Sequence, residues 1–235
     1  MDNRLQAESF DAALHLLDRQ VTDVEGLHVC KVDDLELTFR PGAAPAITRI
    51  LTGPAALVPR LSSRSGHWLR ARWISLGIQY ADRDVPLSLP LEAIAHVGSA
   101  VELSVAREGL LDRQPPPPPG ATLRRSGELI GMKVLSDHAE LRGKVLDVRV
   151  DPRGEELVLT HLLVGPGRPG SLLGYDRGDF NGPWVVNLVV QWLHRHIRVV
   201  RWDAVEDIDW DRGVLTVRSD ADVRHVADDR RRRHR

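Results

Sequence analysis

The sequence predicts a mainly β chain: two small barrels in tandem, each with a short helical insert, joined by a proline-rich linker. Three observations carry this. The chain repeats itself at an offset of about 112 residues, short apolar-alternating runs are separated by turn clusters, and five consecutive prolines lie between the two copies.

The repeat sets the organisation. At a shift of 113, Leu16, Val21, Lys31, Val32 and Asp34 fall on Leu129, Val134, Lys144, Val145 and Asp147. At 112, "TRILTGP" (48–54) lies on "THLLVGP" (160–166), and "VELSV" (101–105) on "GVLTV" (213–217). At 111, "LEAIAHV" (91–97) lies on "WDAVEDI" (202–208). A drift of one residue at a time is what loop insertions and deletions produce. The expected division is a degenerate unit over 10–105, a linker over 106–127, a second unit over 128–219 and an Arg-rich, disordered tail over 220–235.

The second copy shows its elements most clearly. In "GKVLDVRV" (143–150) Leu146, Val148 and Val150 alternate with Val145, Asp147 and Arg149, the pattern of a half-buried strand. "DPRG" (151–154) supplies Pro and Gly for a tight turn, and "ELVLTHLLVG" returns as the next strand. "HIRVVRW" (196–202) and "GVLTVRS" (213–219) add two more. Over 183–193, Trp184, Leu188, Val189 and Trp192 recur at helical spacing behind Pro183, which predicts an amphipathic helix; a strand is the alternative. The prolines at 115–119 favour extended polyproline II, which suits a semi-rigid spacer; a Pro-rich ligand for an aromatic groove is the other reading.

These residues resemble a PRC-barrel domain. "LIGMKVLSDHAELRGKVLDVRVDPRGEELVLTHLLVG" with "RWDAVEDIDWDRGVLTV" follows that family's pattern, and Gly143, Lys144, Val145, Asp147 and Gly154 form the fold motif. The likeness covers about 129–218, reaches 16–105 through the repeat, and the arrangement looks like two-unit proteins of actinobacteria. The first copy departs from it. Cys30 stands for Gly143, "TFRPGAAPA" replaces the tight turn, and Pro86 and Pro90 take the places of Ile197 and Arg201, so that strand is expected at an edge or broken. The resemblance implies small β-barrels used for binding or assembly, as in a photosynthetic reaction-centre subunit, a ribosome-maturation factor and archaeal cell-division proteins. It implies no catalysis and no cofactor, and fold alone does not choose among such settings.

Composition narrows the partners. With 32 basic and 33 acidic residues, net charge −1, no global field draws the chain to nucleic acid or membrane. All but three of the basic residues are arginines, as a GC-rich coding bias gives. Cys30 is the sole cysteine, which excludes an intramolecular disulfide and fits a cytoplasmic location. The N-terminus is polar, and the apolar run at 183–196 is too short for a bilayer, so no transmembrane segment is expected. No Ser-His-Asp, Gly-x-Ser-x-Gly, phosphate-loop or dinucleotide pattern occurs. His138, His161, His194 and His196 lack the convergent spacing of a metal set. Asp137 with Asp147, or Asp203, Asp207 and Asp209, could be paired carboxylates but read as turn caps facing solvent on strand edges; Asp34 and Asp147, repeated on the strand's polar face, also suggest a hydrogen bond to neighbouring backbone.

Candidate contact residues are therefore Trp68, Trp73, Trp184 and Trp192, which cap the barrels or face a protein partner. Arg230, Arg231, Arg232, Arg233 and Arg235 form a tail that is solvated or makes weak, non-specific contact with RNA or anionic lipid. The sequence thus points to a non-enzymatic adaptor for an unidentified protein, cytoplasmic or peripheral to a membrane and compatible with a homo-oligomer; the alternative is an RNA- or ribosome-associated factor.

Overall fold

The computed structural model describes residues 3–61, 85–137, 141–166 and 197–225, with the backbone alone over 58–61. Among the described residues strand makes up 48% and helix 13%, a mainly β composition. In chain order the elements are β1 (Phe10–Asp11), α1 (Ala12–Leu16), β2 (Gln20–Thr22), β3 (His28–Lys31), β4 (Asp34–Phe39) and β5 (Ala46–Thr52). Next come α2 (Pro54–Leu61), β6 (Leu87–Pro90), β7 (Ile94–Val97), β8 (Val101–Leu103), β9 (Asp112–Arg113), β10 (Thr122–Arg125) and α3 (Ser126–Leu129). The second repeat contributes β11 (Lys133–Leu135), β12 (Gly143–Arg153), β13 (Glu156–Gly165), β14 (Arg198–Arg201), β15 (Val205–Asp209), β16 (Val214–Val217) and β17 (Val223–His225).

Two compact units emerge, and their boundaries are not those of the repeats. The first takes Met1–Phe10, His15–Glu128 and Asp151–Val158; the second takes Asp11–Leu14, Leu129–Val150 and Leu159–Arg235.

In the first unit one ladder runs β3-β2-β8-β7, with β2 and β8 parallel. A second ladder places β5 between β4 and two partial neighbours. Arg49–Thr52 of β5 pair with β6, while Ile47 and Ala46 pair with Leu157 and Val158 at the tip of the β12–β13 hairpin. The chain changes ladder at Val32–Asp33. The Val32 amide donates to the Arg19 carbonyl in the first ladder, and the Asp33 amide to the Leu51 carbonyl in the second. The expected closed barrel is therefore not formed: a corner separates the ladders, and β3 and β7 remain edges among the described residues. The core beneath is aliphatic, with Leu16, Leu35, Leu37, Ile50 and Leu89 fully buried.

The linker expectation also changes. Thr122–Arg125 pair residue by residue with Phe39–Glu36, and β9 pairs with Leu87 and Ser88 of β6. Residues 106–111 and 114–121 remain connection, and the prolines at 115–119 could not join a ladder because a residue without an N–H gives it nothing to hold. β6 is not broken: β5 pairs with its whole length, and β9 covers its outer side at Leu87 and Ser88. Its prolines are accommodated by position: Pro86 precedes the strand, and Pro90 ends it beyond the two residues that β9 reaches.

The second unit runs β17-β14-β13-β12-β11-β16-β15, and among the described residues it is likewise open, at β17 and β15. Val145, Leu146, Asp147, Val148, Arg149 and Val150 are all buried, so the half-buried strand expected from alternation is corrected to one covered on both faces. The hairpin turn is shifted as well. β12 continues through Asp151, Pro152 and Arg153, and the reversal falls at Gly154–Glu155, with Gly154 at φ 60°.

Gly143 is required by its surroundings. Its φ is 138°, and a Cβ there would lie 2.2 Å from the Gly165 carbonyl oxygen. Cys30 occupies the equivalent position of the first repeat without a positive φ.

Candidate functional site

The polar groups that could do chemistry converge on equivalent points of the two repeats. In the second unit Asp147 sits mid-strand on β12, 1% exposed. Its Oδ1 accepts from the Ala13 amide at 2.7 Å and the Val148 amide at 2.6 Å, and its Oδ2 from the Leu14 amide at 3.0 Å. Ala12 and Ala13 are small enough to bring the start of α1 flush against the strand. Two residues on, Arg149 Nε donates to Asp11 Oδ1 at 2.7 Å, with both side chains almost wholly buried. Burial pushes the Asp147 carboxyl up to about 8, the neighbouring Asp11 charge adds to this, and the Ala13, Val148 and Leu14 amides pull it back.

Asp34, its counterpart in the first unit, is fully buried. Its Oδ1 accepts from Leu35 N at 2.8 Å, Ser126 Oγ at 2.6 Å and Gly127 N at 3.0 Å, and so it caps α3. Burial raises its pKa, against the Ser126 hydroxyl, the two amides and Arg125. Oδ2 has no hydrogen-bond partner, which favours the neutral acid. Thus neither aspartate faces solvent; each bonds the amide of the residue that follows it and also backbone some ninety or more residues away.

The other inward carboxylates are equally committed. Glu36 accepts from Thr48 Oγ1 at 2.6 Å and Gln114 Nε2 at 2.7 Å. Asp33 accepts from the Gly53 amide at 2.7 Å and Thr52 Oγ1 at 3.3 Å, fixing the turn that enters α2. Cys30 is buried, and its thiol is pushed up to about 11, mainly by that burial. Among the described residues no three His, Cys, Asp or Glu side chains gather as a metal set. No helix there is long and apolar enough to cross a membrane.

No known protein family and no curated protein matches the sequence.

Trp68, Trp73, Trp184 and Trp192 lie outside the described residues, as do His138, His194, His196, Arg230, Arg231, Arg232, Arg233 and Arg235. The stems that hold the two Trp-bearing inserts are described, and they coincide. Arg49, Ile50, Leu51 and Thr52 pair with Pro90, Leu89, Ser88 and Leu87. His161, Leu162, Leu163 and Val164 pair in the same register with Arg201, Val200, Val199 and Arg198. Each insert leaves through a Gly-Pro step, Gly53-Pro54 or Gly165-Pro166. Of the fold motif, Val145 and Asp147 are buried, Gly143 and Gly154 take positive φ, and Lys144 lies exposed opposite Lys133.

Four surface arginines of the second unit meet aspartates close in sequence: Arg201 with Asp203, Arg212 with Asp209, Arg218 with Asp220 and Arg224 with Asp222. Asp203 is held below the usual carboxylate range by its hydrogen bonds from Arg201.

Sequence reasoning missed Ala13, Leu14, Ser126 and Gly127 as partners of the two aspartates, and the Arg149–Asp11 pair in the same unit as Asp147. A signal existed: at a shift of 113, Asp11 falls on Arg124 and Glu36 on Arg149, two sign reversals at once.

Proposed function

We propose that the chain is a non-enzymatic adaptor of PRC-barrel type, in which two diverged repeats present a pair of Trp-bearing inserts to a protein partner in the cytoplasm. The observation that carries this reading is the common stem. Four residue pairs in identical register hold 53–86 in the first repeat and 165–197 in the second. A frame kept while its inserts diverge is what a display scaffold requires, because rigid strands position variable connections for binding. The commitment of the buried Asp33, Asp34, Glu36 and Asp147 to capping and turn bonds supports a scaffold role for those groups. An anionic partner such as RNA would rest mainly on the tail, since four of the second unit's surface arginines already pair with aspartates.

Trp184→Ala with Trp192→Ala, and separately Trp68→Ala with Trp73→Ala, test the reading by affinity purification from native cells. The expected result is loss of co-purifying protein with unchanged far-ultraviolet circular dichroism. Retention of the same partners by both double variants refutes it.

A further inference from the structure

We infer that the two repeats are reciprocally exchanged: the strand–helix segment preceding each repeat is housed by the other, and buried charge specifies this arrangement over self-closure. The segment 11–14 leads into the first repeat, whose matched positions start at Leu16, yet it belongs to the second unit, where Asp147 binds its amides. The segment 122–128 precedes the second repeat, yet it belongs to the first unit, where β10 pairs with β4 and Asp34 caps α3.

The equivalence is residue by residue at a shift of 113. Asp34 takes the place of Asp147, Gly127 of Leu14, Ser126 of Ala13 and Leu35 of Val148. Asp34 accepts from the Gly127 amide as Asp147 does from that of Leu14, and both accept from the amide of the residue that follows them. Such a relation made twice, in opposite directions, is the bonding of a swapped pair carried on one chain.

Charge explains why the exchange is kept. Positions 11 and 124 are equivalent, as are 36 and 149. Were each segment to close on its own repeat, Arg124 would face Arg149 at a site that is dry in this structure, and Asp11 would take the half-exposed place of Arg124 beside the strand that carries Glu36. Exchange instead gives the buried Arg149–Asp11 bridge at 2.7 Å, and it sets Thr122–Arg125, with two arginines, along the strand that carries Glu36. Removing water makes like charges strongly unfavourable and rewards the opposed pair. Neither repeat is then complete without a segment from the other, and the proline run at 115–119 acts as a strap between exchanged parts.

The test uses the full chain, folded first and then cut. Pro115–Pro119 are replaced by a protease recognition sequence, and the two fragments are followed by size-exclusion chromatography with light scattering. The expected result is co-elution near the intact mass of 26.2 kDa. Asp11→Arg on the N-terminal fragment is expected to weaken association at least tenfold, and adding Arg149→Asp on the other fragment restores it. Fragments that separate on cutting, or an affinity indifferent to both reversals, overturn the proposal. Should either reversal prevent folding, hydrogen exchange on the unmodified chain decides. Ala13 and Leu14 amides are expected to exchange as slowly as the β12 ladder, and exchange at the rate of an open terminus overturns the proposal.

Discussion

Replacing Gly143 by alanine should damage the second repeat far more than any change at its counterpart, Cys30, damages the first. At φ 138° an L-residue is strained by about 1–3 kcal/mol. The added Cβ would also sit 2.2 Å from the Gly165 oxygen and 2.4 Å from its carbon, so backbone, not a pliable side chain, must give way. Yielding there disturbs the Val134–Gly143 pairing and the exit of β13, at about 1 kcal/mol for each hydrogen bond lost. The combined loss is about 3–5 kcal/mol. At roughly 2–4 °C per kcal/mol for a chain of this size, the melting midpoint falls by about 6–20 °C. Cys30→Gly provides the control. That residue lies in the strand without positive φ, so it loses only about 1–2 kcal/mol from backbone freedom and a buried thiol. Scanning calorimetry of both variants reads the contrast. A Gly143→Ala midpoint within 2 °C of the parent protein would refute the argument from Gly165.

Three further outcomes follow from the buried groups. Asp147 keeps its proton to about pH 8 when folded but only to about 3.8 when unfolded, so its contribution is full below pH 4 and declines as pH rises towards 8. The slope is at most about 1.4 kcal/mol per pH unit, and the raised Asp34 acts in the same direction. Asp147→Asn should flatten the decline between pH 5 and 8 in urea midpoints, and equal slopes for the two proteins contradict this. Asp33→Ala strands the Gly53 amide and the Thr52 hydroxyl and should lose about 1–3 kcal/mol in urea unfolding. Arg40→Ala, which removes a two-bond pair with Glu156 at 40% and 35% exposure, should lose about 0–1 kcal/mol, whereas Arg149→Ala leaves Asp11 buried and should lose about 3–5; similar losses for the two would overturn the distinction.

The strands themselves were legible because alternation, Gly-Pro steps and a twofold repeat are local or self-referential signals. Asp34 and Asp147 could be read as backbone-bonding groups for the same reason, since they recur on one strand. Burial of Asp147 and Arg149 could not. The cover on that face comes from residues 11–14, and a period-two pattern reports only what one strand offers, not what is laid over it. The DPRG turn was misplaced by similar logic: Pro152 satisfies turn chemistry, but the buried Val148 and Val150 carry the strand past it to Gly154. The linker was misread from composition, since prolines at 115–119 say nothing of the strand-forming Thr122 and Leu123 a few residues on. The corner at Asp33 was visible only as a difference, an aspartate where the second repeat has Leu146.

The prolines around β6 have a consequence for solubility. Apolar, β-prone "LSLPLEAIAHV" is the kind of segment that seeds intermolecular stacking when its outer side is open. Here β9 covers Leu87 and Ser88 with two charged, exposed residues, and Pro90 beyond them offers no donor to an incoming strand. The chain then leaves through Gln114 into five residues equally unable to donate. A foreign strand approaching this edge meets a template two residues long, too short to nucleate a fibril. Replacing Pro90 with an ordinary β-former would lengthen that template and turn a protected rim into an aggregation hazard.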